Sequence, residues 1–72
     1  MNSKNNEKIL KDLGDRLKKA RESTGLTQAE VAKAAGMHVN YYAQIERGEI
    51  NTSYEKLQAI TKVLKIKSLD MS

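Results

Sequence analysis

The stretch from Val39 to Arg47 reads VNYYAQIER and carries the side chains with the most to offer chemically. Asn40 and Gln44 stand four apart, so on a helix they share one face, with Arg47 continuing it and Val39 projecting from the first turn. Each carboxamide holds a donor and an acceptor side by side, the complement of adenine's major-groove edge, and a valine methyl can touch thymine's methyl. Tyr42 and Ile45 are three apart and suit a core, which leaves Asn40, Ala43, Gln44 and Arg47 as the outer stripe. Taken by themselves, the two amides also fit an ordinary solvated helix face.

Enzymatic chemistry finds little to work with. There is no cysteine and only one histidine, His38. No glycine-rich phosphate loop follows a strand, and no metal-ligand spacing occurs. Asp12 and Asp15 share a helix face, but Lys8, Arg16 and Lys19 surround them, the pattern of a salt-bridged surface. Neither a catalytic set nor a metal or cofactor site is expected.

The elements that must position the stripe are legible from periodicity and caps. Ile9, Leu10, Leu13, Leu17 and Ala20 recur at three- and four-residue steps between charged residues, which predicts an amphipathic helix from about Asn6 to Ser23, stopped at Gly25. Residues 1–6 are expected to be disordered. Thr27-Gln28-Ala29-Glu30 has the form of a capping box, so a second helix starts at once and runs to Gly36, which suits a left-handed turn position. A third segment spans about His38 to Arg47 and ends at Gly48. Thr52-Ser53-Tyr54-Glu55 reads as another capping box, opening a fourth helix with Tyr54, Leu57, Ile60 and Leu64 inward. Ser68-Leu69-Asp70 can cap one last turn. With no strand pattern, repeat, proline or linker, the whole chain, 1–72, reads as a single all-α domain.

Seventy-two residues without cysteine are near the lower limit for a self-standing core, so helix packing must supply the stability. The polar start MNSKNNEK is neither a signal peptide nor a membrane span, and a cytoplasmic protein is expected. Thirteen Lys and Arg against nine Asp and Glu give a net charge of +4, which favours a polyanionic partner and equally serves solubility. Two short helices joined by a small turn, about residues 27–47, form a helix-turn-helix, whose second helix lies in the DNA major groove in proteins that use the unit to bind DNA.

From Gly25 to Ile66, GLTQAEVAKAAGMHVNYYAQIERGEINTSYEKLQAITKVLKI resembles the phage lambda-repressor and Cro-like helix-turn-helix family, which has five helices and binds operators. The combination Gly-Leu-Thr-Gln, Ala-Gly and Gln-Ile-Glu-Arg-Gly at these spacings carries the resemblance. It implies a compact four- to five-helix domain with base contacts from Val39, Asn40 and Gln44. It also implies that Gln28 touches a phosphate together with nearby backbone N–H groups, and that the Tyr41 hydroxyl and Arg47 reach the DNA backbone. Partial packing over the turn is the alternative for Tyr41. Arg21 and Glu46 match an ion pair tying the first helix to the end of the third. Alternatively, Glu46 is an exposed partner of Arg47 or Lys33. In the loop RGEINTS, backbone amides, Asn51 and the Thr52 or Ser53 hydroxyls are expected at a phosphate, which Glu49 would repel.

The chain also departs from the family pattern. His38 stands where Ser, Thr or Asp usually caps the third helix, and it reads as a weaker cap. Thr52 replaces a frequent proline. Lys65 replaces a frequent glycine after the fourth helix, which is expected to lose a left-handed cap. Beyond the fourth helix, Ile66, Leu69 and Met71 are the only apolar groups, too few for a stable dimer interface. A monomer in free solution is expected, with weak pairing on DNA and no small-molecule ligand. Residues and resemblance together imply a sequence-specific, double-stranded DNA-binding domain acting as a transcriptional regulator, most simply a repressor. The rival class is a protein-interaction module of the same fold, such as an antitoxin or adaptor.

Overall fold

The computed structural model describes residues 3–65, with side chains from Asn6 onward, and the expected last turn at Ser68-Leu69-Asp70 lies outside them. Among the described residues the chain is all-helical: α1 (Ser3–Thr24), α2 (Gln28–Ala34), α3 (Val39–Glu46) and α4 (Tyr54–Leu64). α1 begins three residues before the expected Asn6, inside the stretch expected to be disordered. No glycine or proline stands between Ser3 and Asn6 to stop the helix from extending outward.

Each connection has a local cause. Thr27 accepts from the Glu30 N–H at 3.1 Å while the Glu30 carboxylate accepts from the Thr27 N–H at 2.8 Å, the reciprocal box the sequence shows. α2 ends at Gly36, whose φ of 76° lets Gly36 N–H reach the Lys33 carbonyl and Met37 N–H reach the Ala32 carbonyl. That paired closure is a Schellman turn, which reverses the chain within a few residues. His38 then caps α3, its Nδ1 accepting from the Asn40 N–H at 3.1 Å.

α4 starts differently from the sequence expectation. Its cap is Ser53, which accepts from the Lys56 N–H at 3.1 Å, so Lys56 occupies the position where a capping box would need Glu or Gln. Thr52 is instead turned toward Tyr41. Shifting the cap by one residue places Tyr54 at the first helical position, where it is 73% exposed rather than inward, and its hydroxyl accepts from Gln58. At the other end Lys65 keeps the left-handed cap expected to be lost, at φ 60° and ψ 35°. Holding a side chain there costs about 1–2 kcal/mol relative to glycine, which the packing of Ile60 and Leu64 must cover.

The core gathers Leu17 of α1, Val31 and Ala32 of α2, Tyr42 and Ile45 of α3, and Ile60 and Leu64 of α4. α3 packs against both α1 and α2, and α4 closes the remaining side of each. Ile9 belongs to the predicted apolar stripe but is exposed. Ala43 is buried rather than part of the outer stripe, on a helix packed against both α1 and α2.

Gly14 is the tightest point. A Cβ built on it would lie 2.7 Å from the Ile45 carbonyl oxygen and closer still to that of Glu46, so the backbones of α1 and α3 touch. An exposed mid-helix Gly→Ala change gains about 1 kcal/mol, whereas forcing a methyl into a filled contact costs about 1–3 kcal/mol. Because the contacts are with backbone carbonyls that cannot turn aside, the upper end of that cost applies, and Gly14→Ala is expected to lower stability by roughly 2 kcal/mol. Urea melts check this; a more stable variant would mean that the helices stand apart there.

Candidate nucleic-acid interface

Arg21 and Glu46 are brought together as the resemblance implies. Arg21 Nε donates to Glu46 Oε2 at 2.6 Å and Nη2 to Oε1 at 3.2 Å, a fork that meets the carboxylate on both oxygens. Its remaining Nη1 donates to the Leu26 carbonyl at 2.9 Å, fixing the connection between α1 and α2. The Glu46 side chain is only 2% exposed, which removes the alternative of a surface pairing with Arg47 or Lys33.

A third donor to this carboxylate was not visible in the sequence. Gln28 Nε2 donates to Glu46 Oε1 at 2.9 Å, so the first residue of α2 is tied to the last residue of α3. Burial alone would push the Glu46 pKa up, but the hydrogen bonds from Arg21 and Gln28, the neighbouring Tyr42 hydroxyl and the Arg21 charge outweigh it, and the net shift is downward. The Tyr42 hydroxyl is buried beside the same carboxylate, close enough to act on it, without hydrogen-bond geometry of its own. Burial, reinforced by that neighbouring negative charge, raises the Tyr42 pKa well above the usual phenol range. Its partly unmet hydroxyl is a cost the corner bears.

The outward side of α3 presents Asn40 exposed and Gln44 half-buried, with Val39 half-buried at the first turn and Arg47 exposed at the cap. Three of the sequence-predicted residues, Asn40, Gln44 and Arg47, thus share one stripe, and Val39 flanks it. Tyr41 is half-buried against the core, and its hydroxyl makes a long 3.4 Å contact with Thr52 Oγ1. The ring thus shows the partial packing offered as the alternative for Tyr41, and its hydroxyl turns toward the loop. Asn51 is exposed in that loop, and the Ser53 oxygen is engaged as the α4 cap while its hydrogen remains available to donate.

Two features of this surface escape sequence reasoning. Lys56 Nζ sits 5.6 Å from the centre of the Tyr41 ring, adding a cation beside the loop. The Arg47 guanidinium is engaged: Nε donates to Glu49 Oε2 at 2.8 Å and Nη2 to Oε1 at 3.1 Å. Gly14 could have been found, because a glycine standing between Leu13 and Leu17 on the inward stripe signals close backbone approach.

A model of the helix-turn-helix family matches residues 17–71, most of the chain. The chain belongs to the Cro/C1-type helix-turn-helix family. Members of this family are DNA-binding transcription regulators, and the all-helical fold agrees with it. Comparison with curated proteins returns no match. Among the described residues no helix is long and apolar enough to cross a membrane, and no group of three or more His, Cys, Asp or Glu could hold a metal ion.

The Arg21–Glu46–Gln28 corner makes a sharp stability prediction. Losing one partner of a buried pair leaves the other charge uncompensated, so Arg21→Met and Glu46→Gln should each cost roughly 3–5 kcal/mol, and the double variant much less than their sum. Because the folded-state Glu46 pKa lies below its unfolded value, its contribution is complete above the unfolded carboxylate range and fades as pH falls through the lowered pKa. Thermal melts across acidic pH should show that limb in the wild type and a shallower one in Glu46→Gln. Additive small losses would contradict the assignment.

Proposed function

We propose that the chain binds double-stranded DNA sequence-specifically and regulates transcription in the cytoplasm, as a repressor that occupies its operator. The observation that carries this reading is the α3 stripe: two carboxamides, Asn40 and Gln44, one turn apart on a short helix whose both ends are capped. Such a helix fits the major groove, and its amides match base edges in a way that a merely solvated face has no need to. Val39 adds an apolar contact for a thymine methyl.

The remaining residues hold the backbone. Gln28 keeps one amide hydrogen for a phosphate while the other is committed to Glu46. Tyr41, Asn51, Thr52 and Ser53 line the other approach, and Arg47 ends the stripe between them. Phosphate contacts fix register and carry no sequence information, so base and backbone residues must fail differently when removed.

Gln44→Ala should relax preference at one base pair, an A·T pair, by about 1–3 kcal/mol while leaving affinity for unrelated duplexes nearly unchanged. Gln28→Ala should weaken binding to all sequences by a similar factor. The pair is measured against an operator obtained by selection from a random duplex library and its single-base variants. An even loss of affinity for Gln44→Ala across all of them would place the reading face elsewhere.

Electrostatics gives an independent check. With four or five phosphate contacts releasing counterions, affinity should fall on the order of several hundredfold between about 50 and 200 mM salt. A protein-interaction module binding through apolar surface would respond weakly, so a flat salt profile would favour that rival.

A further inference from the structure

Arg47 is the last cation on the stripe, and its guanidinium is already occupied. Both contacts go to one carboxylate, at 2.8 and 3.1 Å, in the fork geometry that a phosphate would also demand. The two groups are exposed, 55% and 49% by side chain, so they lie where a DNA strand would meet them. Resting on the DNA-binding reading above, we infer that Glu49 attenuates the sequence-independent grip of this site by holding Arg47 away from phosphate.

The pairing is built by the backbone. Gly48, at φ 73°, closes α3 with a second Schellman turn, Gly48 N–H meeting the Ile45 carbonyl at 3.1 Å and Glu49 N–H the Gln44 carbonyl at 2.9 Å. A side chain at position 48 would collide with the α1 backbone, since a Cβ there lies 2.8 Å from Lys11 Cα. The turn is thus pinned between α3 and α1, and it sets the Glu49 backbone two residues from Arg47, within reach of its guanidinium. Lys11 also acts on the Glu49 carboxylate and helps keep it ionised.

The place of the pair gives it its effect. Arg47 and Glu49 border an open cleft with Lys11, Asp15, Lys18, Gln28 and the buried Glu46, so the residue proposed to anchor one phosphate shares a wall with the engaged guanidinium. A strand lying along this wall must either leave Arg47 with Glu49 or break the fork and bring a phosphate against the freed carboxylate. The pair is exposed and weak, yet the rival phosphate contact is equally exposed and would set a phosphate beside the freed carboxylate, so Arg47 stays with Glu49. Because phosphates carry no sequence, the attenuation applies to every duplex and leaves discrimination to Asn40 and Gln44.

The test compares wild type, Glu49→Gln, Arg47→Ala and the double variant by fluorescence anisotropy on the selected operator and an unrelated duplex of equal length. Thermal melts verify that all four fold. Glu49→Gln should bind both duplexes about three- to tenfold more tightly near 100 mM salt, with a log–log salt slope steeper by about 0.9, one more phosphate contact. In the Arg47→Ala background most of that gain should vanish. Unchanged affinity and slope for Glu49→Gln, or the full gain without Arg47, overturns the inference while wild-type binding stands. Wild-type protein that binds neither duplex in a salt-dependent way overturns the DNA-binding reading and this inference with it.

Discussion

One buried carboxylate organises this protein. Glu46 receives Arg21 from α1, Gln28 from α2, and belongs itself to α3, so three helices meet on two oxygens. A buried ion pair contributes little net stability, because desolvation consumes most of the attraction. What it supplies is orientation. A carboxylate with a guanidinium fork on one side and an amide on the other accepts few alternative arrangements, and every alternative leaves a charge unpaired. The apolar core alone, seven buried residues from four helices among the described residues, would tolerate more slippage.

Rigidity at that corner extends outward. Next to it, Gly14 lets the α1 backbone touch the last carbonyls of α3, and Gly48 lets the turn after α3 lie against Lys11. The start of α2 and the end of α3 are thereby fixed relative to α1. In the proposed complex Gln28 reaches a phosphate while Asn40 and Gln44 reach bases, and that division requires a constant distance between α2 and α3. A site held in advance loses less freedom on binding, so more of the contact energy is left for discrimination.

Much of this was legible in residues alone, and the parts that were not have definite reasons. The Thr27 box, the glycine turns and the Tyr42–Ile45 core pair follow from local rules, because each is decided within a few residues. Tyr54 was misplaced because Thr52 and Ser53 are both plausible caps, and the choice depends on Tyr41 reaching across from α3. Ala43 suits either face by composition, and only the crossing with its neighbours buries it. Lys65 shows that a left-handed cap survives without glycine when the preceding helix is anchored by Ile60 and Leu64. The Gln28–Glu46 bond and the Arg47–Glu49 fork join residues across turns, where helical spacing rules say nothing. The base and phosphate roles rest on family resemblance and on the stripe's geometry, and they are the least local of all.

In the proposed complex the corner presents α2 and α3 to DNA as one preset surface. Titrating isotope-labelled protein with the selected operator and following side-chain amide resonances by NMR tests it most directly. The Asn40 and Gln44 carboxamides and the Gln28 carboxamide should shift together with one apparent affinity, while the Arg21 guanidinium signal, inside the corner, stays nearly still. Shifts concentrated instead around Ile9 and Tyr54, with the α3 amides unmoved, would contradict it and assign binding to a different face.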